Sequence, residues 1–350
     1  NISFKRMQVT LKDIAEKSGF SVTTVSRALA GYSDVNQQTR QHIIAVASEA
    51  GYQPNLLARQ FRSQRTHTLG VIVPVHDHTF ISGFYNQLML GIGAAASHEH
   101  YDLLISAQDA GDEDEVAAYQ RLVAGNRVDG MILARTRQND ARIQYLKTRG
   151  HPFVVAGRAA PGEISDFPFI DVDSQTGIYQ VVEHFVGLGH RDIGLILPPP
   201  EMAFTGYRHA GYREGLAAAG IPYTPEYVVH GDLWWSGGYQ GAQTLLESHP
   251  ELTAIIASND LMAIGAMSLI QSKGLAVGRD VAVSGFDYIP AAEFSYPSLT
   301  TIHQPIYDIG QRLVKILSEI IAGVTPQQLQ AVLPGTLIVR ASSGFSRQLY

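Results

Sequence analysis

Asn259 and Asp287 each follow a short β-branched run, at 254–258 and 281–285, where a parallel sheet would hold them at a strand's carboxyl end. A planar amide and a carboxylate can pair with the hydroxyls of a polyol, whose C–H faces need apolar or aromatic cover. Trp234 and Trp235, on a glycine-flanked stretch, could supply that cover. Other clusters lack the context their chemistry needs. Gly91-Ile-Gly93-Ala-Ala-Ala96 matches a dinucleotide fingerprint, yet it falls inside a helical stretch, so its small residues read as close helix–sheet packing. His76-Asp-His78 and His98-Glu-His100 are adjacent or alternate residues that are not expected to converge as metal ligands, and Asp112-Glu-Asp-Glu115 reads as an acidic helix start. No phosphate loop or Ser/His/Asp arrangement has recognisable context, so no enzyme, cofactor or metal is expected.

The elements that position these groups are of two kinds. Thr10 with Asp13 three residues on reads as a helix start, followed by Leu11, Ile14, Ala15 and Ser18 on one face. Gly19 supplies a turn, and Ser21 can cap a second helix with Val22, Val25 and Leu29 at the same period. Two short helices about a glycine turn predict a helix-turn-helix, whose second helix fits a DNA major groove. A third helix is expected from Gln37, with Ile43, Ile44, Val46 and Ala47 inward and Gly51 at its end. The stretch 55–62 could make two helical turns, too few to hold in water without DNA or a partner chain.

From Leu69 onward, runs at 69–75, 102–106, 130–134 and 153–157, then 193–197, 227–230, 254–258 and 281–285, alternate with helical stretches. This predicts an α/β body of two lobes with parallel sheets, its ligand cleft between them. The expected division is a helix-turn-helix head at 7–53, a hinge helix and linker at 54–68, and a two-lobed body at 69–343. The N-lobe is expected at about 69–168 plus 303–330, the C-lobe at about 169–300 plus 331–343. Residues 1–66 carry a net charge of +5 and the remaining 284 carry −11, a basic head on an acidic body, as when one module meets a polyanion. No apolar run approaches the ~20 residues that span a bilayer, and the first residues lack an apolar signal core. With no cysteine in the chain, a cytoplasmic protein without membrane partners is expected.

Several motifs follow one another in a specific order. The head carries Val-Ser-Arg at 25–27 and Gly-Tyr-Gln-Pro-Asn at 51–55. The body carries Gly-Val-Ile-Val-Pro at 70–74, Arg-Val-Asp-Gly-Met-Ile-Leu at 127–133, Leu-Gly-His-Arg-Asp-Ile at 188–193, Ala-Gly-Tyr-Arg-Glu-Gly-Leu at 210–216, Ser-Asn-Asp-Leu-Met-Ala-Ile-Gly-Ala at 258–266 and Val-Ser-Gly-Phe-Asp at 283–287. From about Val9 to Ser343 the chain resembles LacI/GalR-family transcriptional regulators. The resemblance implies a homodimer, a palindromic operator and a body of the periplasmic-binding-protein type that senses a small molecule. It implies base reading by Val22, Thr23 and Arg27, with Ala30 where the family often has asparagine. Phosphate binding is implied for Thr10, Ser21, Thr39, Tyr52 and Asn55. Phe61 takes the place of the leucine that usually wedges into the minor groove.

In the body, Arg208 aligns with the family's ligand-binding arginine, and Phe84 and Tyr85 with positions that often stack on a ring. Asn259, Asp287, Trp234 and Trp235 complete the expected effector set. Gly157 and Arg158 fall where several sugar-binding relatives carry an acid, which points towards an anionic or differently oriented ligand. A sugar or sugar derivative is the first expectation, a nucleoside or purine the alternative. A periplasmic sugar-binding protein would share the body but need an export signal and no basic helical head. The ten residues after Arg340 are too few for the heptads of a tetramer bundle, so a dimer is expected.

Overall fold

Thr10 begins the first helix as its place before an apolar face requires. Its hydroxyl accepts from the Asp13 backbone N–H, while the Asp13 carboxylate accepts from the Thr10 N–H at 2.7 Å. In this computed structural model, which describes residues 9–52, 65–74, 83–108 and 112–344, the chain forms two units, Asn1–Arg65 and Thr66–Tyr350. The head unit holds α1 (Leu11–Ser18), α2 (Val22–Leu29, capped by Ser21) and α3 (Gln37–Glu49, capped by Asn36). Gly19 stops α1 with φ +74°, a left-handed conformation that a side chain would disfavour. Ile14, Ala15, Val25, Ala28, Ile43 and Ala47 form the core shared by the three helices. Ile44, expected to face inward, instead faces outward, and Val22, on the same period as Val25 but expected to face DNA, is exposed. A core this small is filled by about two side chains per helix. The expected hinge helix at 54–68 lies largely outside the described residues, as do Asn55, Phe61 and the histidines of the 76–78 cluster.

The body unit is two α/β lobes. The N-lobe contains β1 (Thr68–Pro74), α4 (Gly83–His98), β2 (Asp102–Gln108), α5 (Asp112–Ala124), β3 (Gly130–Ala134), α6 (Ala141–Arg149), β4 (Phe153–Ala156) and β5 (Phe169–Val172). The C-lobe contains α7 (Ser174–Gly187), β6 (Ile193–Leu197), α8 (Ala203–Ala218), β7 (Val228–His230), α9 (Trp235–Ser248), β8 (Ala254–Ala257), α10 (Asp260–Ser272), β9 (Ala282–Asp287), α11 (Pro290–Phe294) and β10 (Thr300–His303). The chain then returns as α12 (Ile306–Ile321) and β11 (Gln330–Leu333), and finishes in the C-lobe with β12 (Thr336–Ile338). The strand orders are β11-β5-β4-β3-β1-β2, all parallel, and β12-β10-β9-β8-β6-β7, parallel except for β12.

The lobe boundaries differ from those expected. Phe169–Val172 and Gln330–Leu333 pair with each other in the N-lobe sheet, so that lobe extends past 168 and past 330. The chain therefore changes lobe at Asp173, at Gln304–Pro305 and at Pro334–Gly335.

The Gly91-x-Gly93 motif packs helix on helix, not helix on sheet. A Cβ on Gly91 would sit 2.0 Å from the Tyr307 carbonyl of α12, whereas one on Gly93 would meet only Leu103 at 4.0 Å. One glycine of the pair lets α4 and α12 approach backbone to backbone, over a core that includes Leu69, Val71, Leu88, Ile92, Leu313 and Leu317.

Candidate effector cavity and nucleic-acid interface

On the head, Val22 and Thr23 are exposed at the amino end of α2, with Val22 at 44% of its accessible surface. Arg27, one turn further on, pairs with Asp34 at 2.5 Å and lies 4.7 Å from the centre of the Tyr32 ring. Of the expected phosphate ligands, Thr10 and Ser21 are exposed caps. Ser21 Oγ accepts from the Thr24 N–H at 3.1 Å, and the Thr39 N–H donates to the Asn36 cap at 2.8 Å. Tyr52 is half-buried against the head core. A helix amino end with free N–H dipoles and small polar caps favours phosphate oxygens. Asn55 and Phe61 lie outside the described residues.

In the body, a cavity of about 910 Å³, counting its part open to solvent, lies between the lobes. It is lined at the carboxyl ends of strands, where helix starts and loops converge. Arg208, on α8, is fully buried. Its guanidinium lies between the rings of Phe204 (4.6 Å) and Phe286 (4.2 Å) and donates to the Ser258 carbonyl, while Nε has no hydrogen-bond partner among the described residues. Burial lowers its pKa to about 10, so it remains a cation at neutral pH.

Asp287, at the end of β9, accepts from Gln304 Nε2 at 2.5 Å, and burial raises its carboxyl to about 6 against the pull of Arg208. Asn259 caps α10 through Oδ1, accepting from the Met262 N–H, and donates to the Leu233 carbonyl, both at 2.8 Å. The N-lobe contributes Phe84, Arg135, Thr136 and an ion pair in which Arg158 Nε stands 3.0 Å from Asp171. Asp171 is also raised to about 6 by burial, which outweighs the Arg158 charge. The Arg158 guanidinium stacks 3.9 Å from the Tyr207 ring of the C-lobe. Cations, carboxylates and hydroxyl-bearing groups thus share a wall that also holds phenyl rings, a set suited to pairing with hydroxyls.

Of the residues singled out from the sequence, Phe84, Arg208, Asn259 and Asp287 line this cavity, and Tyr85, Trp234 and Trp235 do not. Tyr85 is on the inward face of α4, 3% exposed in the N-lobe core, because residues adjacent in a helix point about 100° apart. Trp234 caps α9 with its backbone. Trp235 is half exposed on the first turn, its carbonyl packed so closely on α10 that Gly265 has no room for a Cβ.

Residues 66–335 match the family model for periplasmic binding proteins and the sugar-binding domain of the LacI family, and residues 10–55 match that for bacterial regulatory proteins of the lacI family. The chain belongs to the LacI family. Among LacI-family relatives, the HTH-type transcriptional regulator CelR of Thermobifida fusca is 32% identical, over 97% of this chain and 99% of its own length. The HTH-type transcriptional repressor CytR of Escherichia coli (strain K12) is 33% identical over 95% and 96%. Among solved structures, the Lac repressor dimer bound to operator and the anti-inducer ONPF superposes with a TM-score of 0.84 at 28% identity, covering 96% of this chain and 99% of that one. A complex of CelR with cellobiose gives 0.74 at 31% identity, covering 96% and 100%. The relatives are regulators and not enzymes, and the chain is a LacI-family transcriptional regulator. Among its described residues, no helix is long and apolar enough to cross a membrane and no group of three or more His, Asp or Glu could hold a metal ion.

Sequence reading of this LacI-family chain overlooked Arg135, Thr136, Asp171, Tyr207 and Gln304. Asp171 is in β5, and Gln304 directly follows β10, two strands absent from the sequence reading. The signal available was the β-branched character of Thr300-Thr301-Ile302.

Proposed function

We propose that this protein represses transcription by binding a palindromic operator as a homodimer, under the control of a sugar in the interlobe cavity. The observation that carries the reading is the cavity wall. A buried arginine whose Nε has no hydrogen-bond partner among the described residues, two raised carboxylates, an amide and aromatic rings answer the hydroxyls and C–H faces of a saccharide. The related CelR has been solved with cellobiose, which makes a disaccharide the first class of sugar to test. The Lac repressor, similar over nearly the full length, is a dimer on its operator. Operator reading falls to Val22, Thr23 and Arg27, with Thr10, Ser21, Thr39, Tyr52 and Asn55 on phosphates and Phe61 as the minor-groove wedge.

The dimer faces are apolar surfaces left open on both lobes. Leu90 of α4 is 66% exposed and Ile105 of the edge strand β2 is 45% exposed; on the C-lobe, Phe294 and Tyr296 are 84% and 89% exposed. Side chains of this kind are covered by a partner more often than left in water. A ligand that binds the closed cleft better than the open one shifts the lobe equilibrium, and through it the spacing of the two heads.

The test has two parts. Sites selected from random duplexes by the full chain should be palindromic and lose affinity steeply with salt. Thermal-shift screening with mono- and disaccharides, sugar phosphates and nucleosides should give a concentration-dependent rise for a saccharide. Affinity that is indifferent to salt, or a shift with nucleosides alone, overturns the respective half.

A further inference from the structure

Asp287 reaches the cavity on a backbone that side chains resist. It has φ +119°, and Tyr288 after it has φ +62°; neither is glycine. Such a turn persists only where its surroundings hold it, and here the holder is Asp260, the first residue of α10. Asp260 is 0% exposed. Its Oδ2 accepts from the Ile289 backbone N–H at 2.8 Å and its Oδ1 accepts from the Thr301 hydroxyl at 2.5 Å. The carboxylate fits against β9 because residue 285 is glycine: a Cβ there would stand 2.2 Å from Asp260 Oδ1. The turn it grips faces both lobes. Asp287 and Ile289 line the cavity, and the Tyr288 carbonyl accepts from Gln87 Nε2 of the N-lobe at 3.3 Å.

We propose that Asp260 is a positioning residue for the effector cavity, a buried staple that holds the left-handed pair Asp287–Tyr288 so that the Asp287 carboxylate points at the ligand. The staple acts by accepting hydrogen bonds and not by its charge. An asparagine at 260 can therefore replace it, its amide oxygen accepting from Ile289 and its NH2 donating to the Thr301 oxygen. This inference rests on reading the cavity as the effector site, but its first test does not.

Amide hydrogen exchange is measured on the full chain for wild type, D260N and D260A. The Ile289 amide is expected to exchange at least about tenfold faster in D260A, with D260N within about threefold of wild type and the amides of Ala254–Ala257 unchanged. Unchanged Ile289 protection in D260A, or a D260N variant as fast as D260A, would overturn the proposal. Should D260A not fold, D260A/Y288G supplies the second arm, because glycine adopts φ +62° freely. Recovery of a cooperative unfolding transition in the double variant supports a strained turn as the thing held, and failure to recover it refutes that.

Thermal shift with cellobiose, maltose and raffinose then separates the two claims. Loss of a wild-type sugar response in D260A, retained in D260N, supports both. No response in wild type counts against the sugar reading alone, with the exchange experiment still deciding the role of Asp260.

Discussion

If Arg27 reads a base as proposed, it must first leave Asp34, with which it is paired in the free head. Both partners are about half exposed, which keeps the exchange cheap. D34N is therefore expected to raise operator affinity by about 1.5- to 5-fold, whereas R27A should lower it about 5- to 100-fold and affect random duplex less; fluorescence anisotropy on both duplexes reads the difference. In the cavity, Arg208 works through a planar fork between two rings, a geometry an ammonium does not share. R208K should weaken sugar binding by about tenfold or more, measured by titration calorimetry, while unfolding remains cooperative.

Asp171, with its carboxyl raised to about 6, binds its proton more readily in the folded chain than in the unfolded one. It stabilises the body as the pH falls through about 6 and towards 4, and its ionised form costs stability above that window. The midpoint gain of D171N over wild type is therefore expected to be roughly 2–5 °C larger at pH 7.5 than at pH 5, read by scanning calorimetry.

At the scale of elements, the parts legible in the sequence were those with strong period or chemistry at their ends. The caps Thr10 and Ser21 and the long β-branched runs around the central strands marked out the head and most of both sheets. β5 hides because Asp171 interrupts it, and β12 because it is three residues long beside Pro334-Gly335. Unread strands concealed their site residues, so Asn259 and Asp287 were found while Asp171 and Gln304 were not. Tyr85 was misplaced for the converse reason: aromatic character marks burial and binding alike, and only the direction of a helix face separates them, while the two tryptophans sit at the start of α9 away from the cavity lining. The two glycines of α4 give a sharp test of this level. G91A should lower the body's unfolding midpoint by about 5–10 °C by driving α4 from α12, and G93A, in the same motif, should be neutral or slightly stabilising.

At the scale of the molecule, the acidic body and basic head carry charges of opposite sign, as the proposed division between sensing and gripping a polyanion requires. If Leu90 and Phe294 lie at the interface between two copies, L90E/F294E should sediment as a monomer at concentrations where wild type is a dimer. It should also lose about 100-fold in affinity for a palindrome while keeping its affinity for a half-site, because the linkage of two heads is gone. The three lobe changes of the chain also bear on how the molecule is made. α12 supplies Ile306, Ile309, Leu313 and Leu317 to the N-lobe interior, and Ser342 reaches the backbone of Thr300 in the other lobe. A ribosome must accordingly release the chain through α12 for the N-lobe, and to about Ser342 for the C-lobe, before either half can close its interior. Nascent chains stalled ahead of residue 306 should be captured by chaperones with both halves still open to protease, although the helical head that precedes them is finished long before.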